Sequence, residues 1–346
     1  MSSRTLARHG VHSPGRPIAI GVGVLAASVL VGLLVGPVRI EVGGVLRWLI
    51  SFGHAPAGMS AQESAILGDL RLPRVIVGGL VGASLAASGA AYQAVFRNPL
   101  ADPYLLGAAA GAGVGATVAV GYGPAGAFEV TVPIAAFVGA LLGVGMAYGL
   151  GRSRLGGRSS TSLVLAGVAI ASFLTAVQTF LQQQRSETLR QVYTWILGRL
   201  GTVGWSDVRL ALPSVVLALA ALWSMRRLLD VMEVGDLEAQ SLGLHASRLR
   251  LVVVVAASLA TAAAVSVAGL IGFVGIIVPH AVRLFVGGSY RSVLPLSVLF
   301  GAAFLILVDV LARTLVAPAE IPIGVITAFV GAPFFLAVLR RSGRTR

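Results

Sequence analysis

Apolar runs long enough to cross a bilayer recur ten times along this chain of 346 residues. They lie roughly at 17–38, 72–95, 104–121, 131–151, 162–181, 207–225, 250–271, 272–287, 293–312 and 322–340. A helical span needs about 20 apolar residues. Hydrocarbon offers no partner to an unpaired backbone group, so a helix is the form such runs take. The third and eighth runs are short and Gly-rich. The pattern predicts an all-α, polytopic membrane protein of about ten transmembrane helices. Composition agrees, with 56% hydrophobic and 11% charged residues, whereas soluble domains carry about 25% charged residues. The first run follows Arg4, Arg8 and Arg16 and exceeds the roughly 7–15 apolar residues of a signal-peptide core, so it reads as a retained span.

The formal charge is +13 with no lysine, so arginine supplies all the positive charge. The arginines cluster at the ends of apolar runs. Cytoplasmic loops and lipid headgroups account for that placement, and it argues against nucleic acid as a partner. Arg152, Arg154 and Arg158, then Arg226, Arg227, Arg248 and Arg250, then Arg340, Arg341, Arg344 and Arg346 mark one side of the membrane. With that side inside, both termini are cytoplasmic and the number of spans is even. The opposite loops also hold Arg39, Arg47, Arg71, Arg74, Arg185, Arg190 and Arg199, so the bias is incomplete.

An internal repeat is expected. Gly89, Pro99 and Gly107 each have a counterpart 180 residues on, at Gly269, Pro279 and Gly287. An odd number of spans separates the copies, so they would lie inverted, as in many transporters. The chain divides into a first span and outer loop (1–70), a first repeat (71–205), a loop (226–250) and a second repeat (250–340).

Three polar features carry functional expectations. The first is the loop 226–250, which holds Asp230, Glu233, Asp236 and Glu238 beside four arginines. Asp236 is placed to cap a short helix over Leu237–Leu242, and Gly243 to end it, before Leu244, His245 and Arg248 lead into the seventh span. Such an elbow is either a docking surface or a solvated connection. The second is Arg71-Leu-Pro-Arg74, which opens the second span. Pro73 suits a first helical turn, and the two arginines serve either acidic partners or headgroups. The third is Asp309 with Arg313 four residues on, an ion pair within a span or part of a proton relay. His280, Arg283 and Glu320 are ambiguous.

Enzyme readings fare poorly. Without lysine there is no GxxxxGK[ST] phosphate loop, so this chain has no such ATP site. Without cysteine there is no thiolate chemistry, and His280 has no second metal ligand at suitable spacing. A membrane serine hydrolase would need Ser84 or Ser88 to meet His280.

Several segments together resemble the FecCD/BtuC family of type II ABC importer permeases. They are Arg71-Leu-Pro-Arg74, Ser88–Gln93, Arg97–Pro103 with Leu106-Gly107, Leu242-Gly-Leu244, Ala268–His280 and Pro318–Pro333. The resemblance implies ten helices and a homodimer or close heterodimer in the inner membrane. It implies a cytoplasmic ATPase dimer that consumes the ATP, and an extracytoplasmic binding protein that delivers a metal chelate, a ferric siderophore or haem before cobalamin. No cofactor is implied for this chain itself. By the same likeness Asp236, Leu237, Glu238, Leu242, Gly243, Leu244, His245 and Arg248 would contact the ATPase, while Arg71, Arg74 and Arg313 would receive carboxylates of the binding protein. The path would follow the fifth and tenth spans. An ion-coupled secondary transporter using Asp309 is the alternative.

Overall fold

The computed structural model describes residues 15–56, 58–124, 128–152 and 160–342. Every regular element among them is helical. The first half holds α1 (Gly15–Leu34), α2 (Val42–Ile50), α3 (Ala61–Ala65), α4 (Leu72–Phe96), α5 (Ala108–Tyr122), α6 (Phe128–Gly151) and α7 (Ser160–Gln184). The second holds α8 (Leu189–Ile196), α9 (Trp205–Val234), α10 (Asp236–Ser241), α11 (Ala246–Ala268), α12 (Val274–Val286), α13 (Tyr290–Thr314) and α14 (Ile323–Ser342).

The described residues thus form fourteen α-helices rather than ten. Four of them, α2, α3, α8 and α10, are short connectors. The other ten coincide with the ten apolar runs. Seven are long and apolar enough to cross a membrane, and α5, α12 and α14 supply shorter apolar segments. α10 was expected from its turn residues, whereas α2, α3 and α8 stayed hidden because they hold too few residues to show a hydropathy signal. Ser60 closes a capping box with Glu63 at the start of α3. A π-helical turn, Ile66–Arg71, joins α3 to α4, where Pro73 occupies the first turn as expected.

Helix α4 is the axis of the bundle and is buried almost throughout, packed by α13, α11, α9 and α12. Small residues allow this. A Cβ added at Gly82 would lie 2.1 Å from the Gly301 carbonyl oxygen, and one at Gly89 would lie 2.0 Å from that of Gly275. Backbones therefore touch directly, the usual way membrane helices gain packing when lipid is as apolar as they are. Helices α1 and α7 are peripheral and mostly exposed.

The repeat exists in the order of elements but not at the expected register. Helices of 25, 15, 24 and 25 residues run through α4 to α7, and helices of 23, 13, 25 and 20 residues through α11 to α14. α4 packs on α13 as α11 packs on α6, and α4 and α11 pack on each other. The 180-residue spacing, however, pairs unlike places. Gly89 is inside α4 while Gly269 follows α11. Pro99 is in a loop while Pro279 is inside α12, and Gly107 precedes α5 while Gly287 follows α12. Equivalent helices start closer together than 180 residues, so those matches were coincidences of a glycine-rich chain.

The two short helices begin beside one another. Gly107 (φ +81°) precedes α5, and Phe273 (φ +68°) precedes α12. The Tyr104 hydroxyl donates to the Ile271 carbonyl and accepts from the Ile271 N–H, both at 3.1 Å. Gln93 of α4 donates to the Gly275 carbonyl at 3.0 Å. Tyr104 and Gln93 thereby satisfy part of the backbone of the connection before α12, as irregular chain inside a membrane protein requires.

Candidate functional site

One end of the bundle carries the elbow. Helix α10 spans Asp236–Ser241 and ends in a Schellman motif: Gly243 (φ +77°) donates to the Gln240 carbonyl at 2.9 Å, and Leu244 to that of Ala239 at 2.9 Å. Gly243 is the stop that was expected. Asp236 is not the expected cap. It is the first residue of the helix, and its carboxylate instead takes the Arg250 guanidinium at 2.9 Å on both oxygens and Arg97 at 3.8 Å. A charge-assisted partner from α11 outcompetes a local N–H. Arg97 is the left-handed residue that ends α4, so one carboxylate joins the ends of α4, α10 and α11.

A second tie lies just before the elbow. Asp230 of α9 accepts from the Tyr290 N–H at 2.5 Å and from the Ser289 hydroxyl at 3.1 Å, at the start of α13. Arg283 of α12 donates to the Tyr290 hydroxyl at 2.5 Å and lies over its ring. Outward from these ties, Glu238, Leu242, Gly243, His245 and Arg248 are exposed, Leu242 to 67%. Leu244 is half-buried beneath them. Leu237 lies on α10, with its side chain outside the described set. In the nearby loop 97–107, Asp102 accepts from the Tyr104 N–H at 2.8 Å, and burial pushes its carboxyl up to about 6.

The opposite end holds the arginine cluster, and here the outcome differs from the expectation. Arg71, Arg74 and Arg313 are 4%, 9% and 3% exposed. Their guanidinium groups are engaged within the chain. Arg74 contacts Asp309 at 2.8 Å and Glu320 at 2.8 Å. Arg313 pairs with Asp309 at 3.6 Å and donates to the Gly32 carbonyl at 2.6 Å. Arg71 donates to the carbonyls of Leu33 and Leu34 at 2.7 and 3.0 Å, and to that of Val38. A helix C-terminus leaves its last carbonyls without partners, and these arginines supply the donors for α1. The physical reason for the inward turn is that unpaired buried carboxylate and carbonyl groups cost more than the arginines gain by facing solvent.

The same network places the Asp309 carboxylate between two arginines, Arg74 at 2.8 Å and Arg313 at 3.6 Å. Ser88 donates to the Ala257 carbonyl at 2.9 Å, the Ser84 hydroxyl has no partner, and His280 packs edge-on to Phe334. Among the described residues neither Ser84 nor Ser88 pairs with His280.

One feature escaped the sequence reading. Ser172, Thr175, Thr179 and Gln183 all stand exposed on one face of α7, along an open depression of about 720 Å³. Their spacing of three and four residues was visible as a polar stripe within an apolar run.

The family is settled by comparison. The model of the FecCD transport family matches residues 24–341. The chain belongs to the FecCD transport family. Among curated relatives of this FecCD protein, the cobalamin import system permease protein BtuC of Halobacterium salinarum is 43% identical, covering 86% of this chain and 81% of its own length. The iron(3+)-hydroxamate import system permease protein FhuB of Bacillus subtilis is 37% identical, covering 86% and 76%. A solved metal-chelate type ABC transporter, in an inward-facing conformation, superposes with a TM-score of 0.83 at 27% identity, covering 94% of this chain and 99% of that one. This FecCD chain is therefore a multi-pass permease of the metal-chelate ABC importer type.

Proposed function

We propose that this FecCD permease sits in the inner membrane with the elbow end and both termini in the cytoplasm, works as a homodimer, and imports a ferric siderophore or haem. An ATPase dimer would grip the elbow through Glu238, Leu242, Gly243, His245 and Arg248, with Asp236 and Leu244 setting the elbow's shape. A binding protein would dock at the opposite end, on a surface held in place by Arg71, Arg74 and Arg313. The observation that carries this reading is the exposed elbow: a short helix locked by a glycine stop, presenting an apolar tip beside mixed charge.

The polar stripe on α7 supports a path between two copies. A polar face on an otherwise apolar, exposed span is costly against lipid, and lining a water-filled route removes that cost. Phe329 of α14, 76% exposed, would flank the same route. Among the relatives, one is named for cobalamin import and others for iron-chelate import.

The test uses the complex reconstituted in liposomes with its ATPase and binding protein. Gly243→Pro removes the N–H that closes the Schellman motif and forbids the positive φ, so ATP-driven uptake should fall about tenfold or more while the chain stays in the membrane. Full uptake by Gly243→Pro, or failure of any ATPase to co-purify with the wild type, would return the field to the ion-coupled alternative. Parallel uptake of labelled ferric siderophore, haem and cobalamin assigns the cargo.

A further inference from the structure

An apolar groove lies between the first half of α1, α12 and α13 at the elbow end. Gly21 of α1 packs against Leu296 and Leu299 of α13. Beside that seam, Ile20, Val282, Phe285, Val286, Leu296 and Phe300 enclose about 450 Å³. That volume lies within the roughly 300–1,000 Å³ of ordinary ligand sites. The groove opens outward, away from the core, with Ile20 56% and Phe285 85% exposed. Arg16 lies at its mouth and is the one charged residue among those lining it.

Arg16 is exposed and makes no ion pair or hydrogen bond among the described residues. The basic residue beside the neighbouring groove, between α1 and α9, behaves differently. Arg226 there stacks on Trp223 at 4.7 Å and donates to the Trp223 carbonyl. The Arg16 groove therefore combines an apolar slot within the membrane-spanning bundle with an uncommitted cation at the bundle end.

We propose that this groove binds one anionic phospholipid, an acyl chain lying between α1, α12 and α13 and the phosphate on Arg16. An arginine at the end of an apolar slot suits that amphiphile, because the stem follows the chain while the head meets the phosphate. Other occupants fit less well. The chain's own residues 1–14 offer only Met1, Leu6 and Val11 as large apolar side chains and bring further arginines. A second copy meeting this face by two-fold symmetry would find no acid on α1 or α12 to pair with Arg16.

The experiment is native mass spectrometry of the full permease in mild detergent, titrated with dioleoyl-phosphatidylglycerol and with dioleoyl-phosphatidylethanolamine. The wild type should retain one phosphatidylglycerol per chain in preference to phosphatidylethanolamine. Arg16→Ala should weaken phosphatidylglycerol binding about fivefold, the worth of one arginine at an anionic surface, and weaken phosphatidylethanolamine less, because its ammonium offsets the phosphate. Ile20→Trp, which fills the slot, should lower retention of both lipids, and Arg209→Ala, distant from the groove, should change neither. Equal retention of the two lipids by the wild type overturns the proposal, as does undiminished phosphatidylglycerol binding in Arg16→Ala. A change in oligomeric state in either groove variant also overturns it, by assigning the face to contact between copies.

Discussion

Asp309→Asn is expected to cost about 3–5 kcal/mol of stability, because it strands buried positive charge. Arg313 loses its carboxylate outright, and Arg74 keeps only Glu320, which sits at the rim. The loss should appear as a lowered thermal midpoint of the detergent-purified protein and as reduced membrane abundance. The same logic ranks the other members. Glu320→Gln should cost no more than about 1 kcal/mol, since the Glu320 side chain is 40% exposed and water screens its pair. Converting Asp309 and Arg313 together to leucine and methionine should recover only the part of the loss that comes from Arg313, because Arg74 still loses Asp309. If Asp309→Asn melts like the wild type, the cluster contributes nothing to holding α1, α4 and α13 together.

Gly89→Leu is expected to be among the most damaging single changes within the spans. Any Cβ there would overlap the Gly275 carbonyl at 2.0 Å, and a backbone atom cannot swing aside as a side chain can. Overpacking of this kind costs about 3 kcal/mol or more. It should be read as failure of the protein to survive solubilisation, with uptake lost as well. Gly145→Ala on α6 is the control. Nothing lies within 4 Å of its Cβ position, and alanine favours the helix by about 0.5–1 kcal/mol. Equal behaviour of the two variants would mean that α4 and α12 do not cross where the structure places them.

The apolar runs were legible because hydrophobic length is a local property. Gly243 was legible for the same reason, since a glycine after a short helical pattern signals its own stop. Partner choice was not legible. Asp236 looks like a cap in its own sequence neighbourhood, and the arginine that claims it lies 14 residues away on another helix. Arg74 and Asp309 are 235 residues apart, so nothing near Arg71-Leu-Pro-Arg74 reveals that the side chains turn inward. The α7 stripe is a different kind of miss. Ser172, Thr175, Thr179 and Gln183 were there to be read, but averaging hydropathy over the run concealed the polar face.

The shared carboxylate of Asp236 has a mechanical corollary. Leu242 and Gly243 are not the tip of a loose lever, because the same short helix is anchored at its root to the lead helix of each repeat, α4 through Arg97 and α11 through Arg250. Were the proposed ATPase to press on the tip, the load would pass chiefly to α11 through the 2.9 Å Arg250 pair, and only weakly to α4 through the exposed 3.8 Å Arg97 contact.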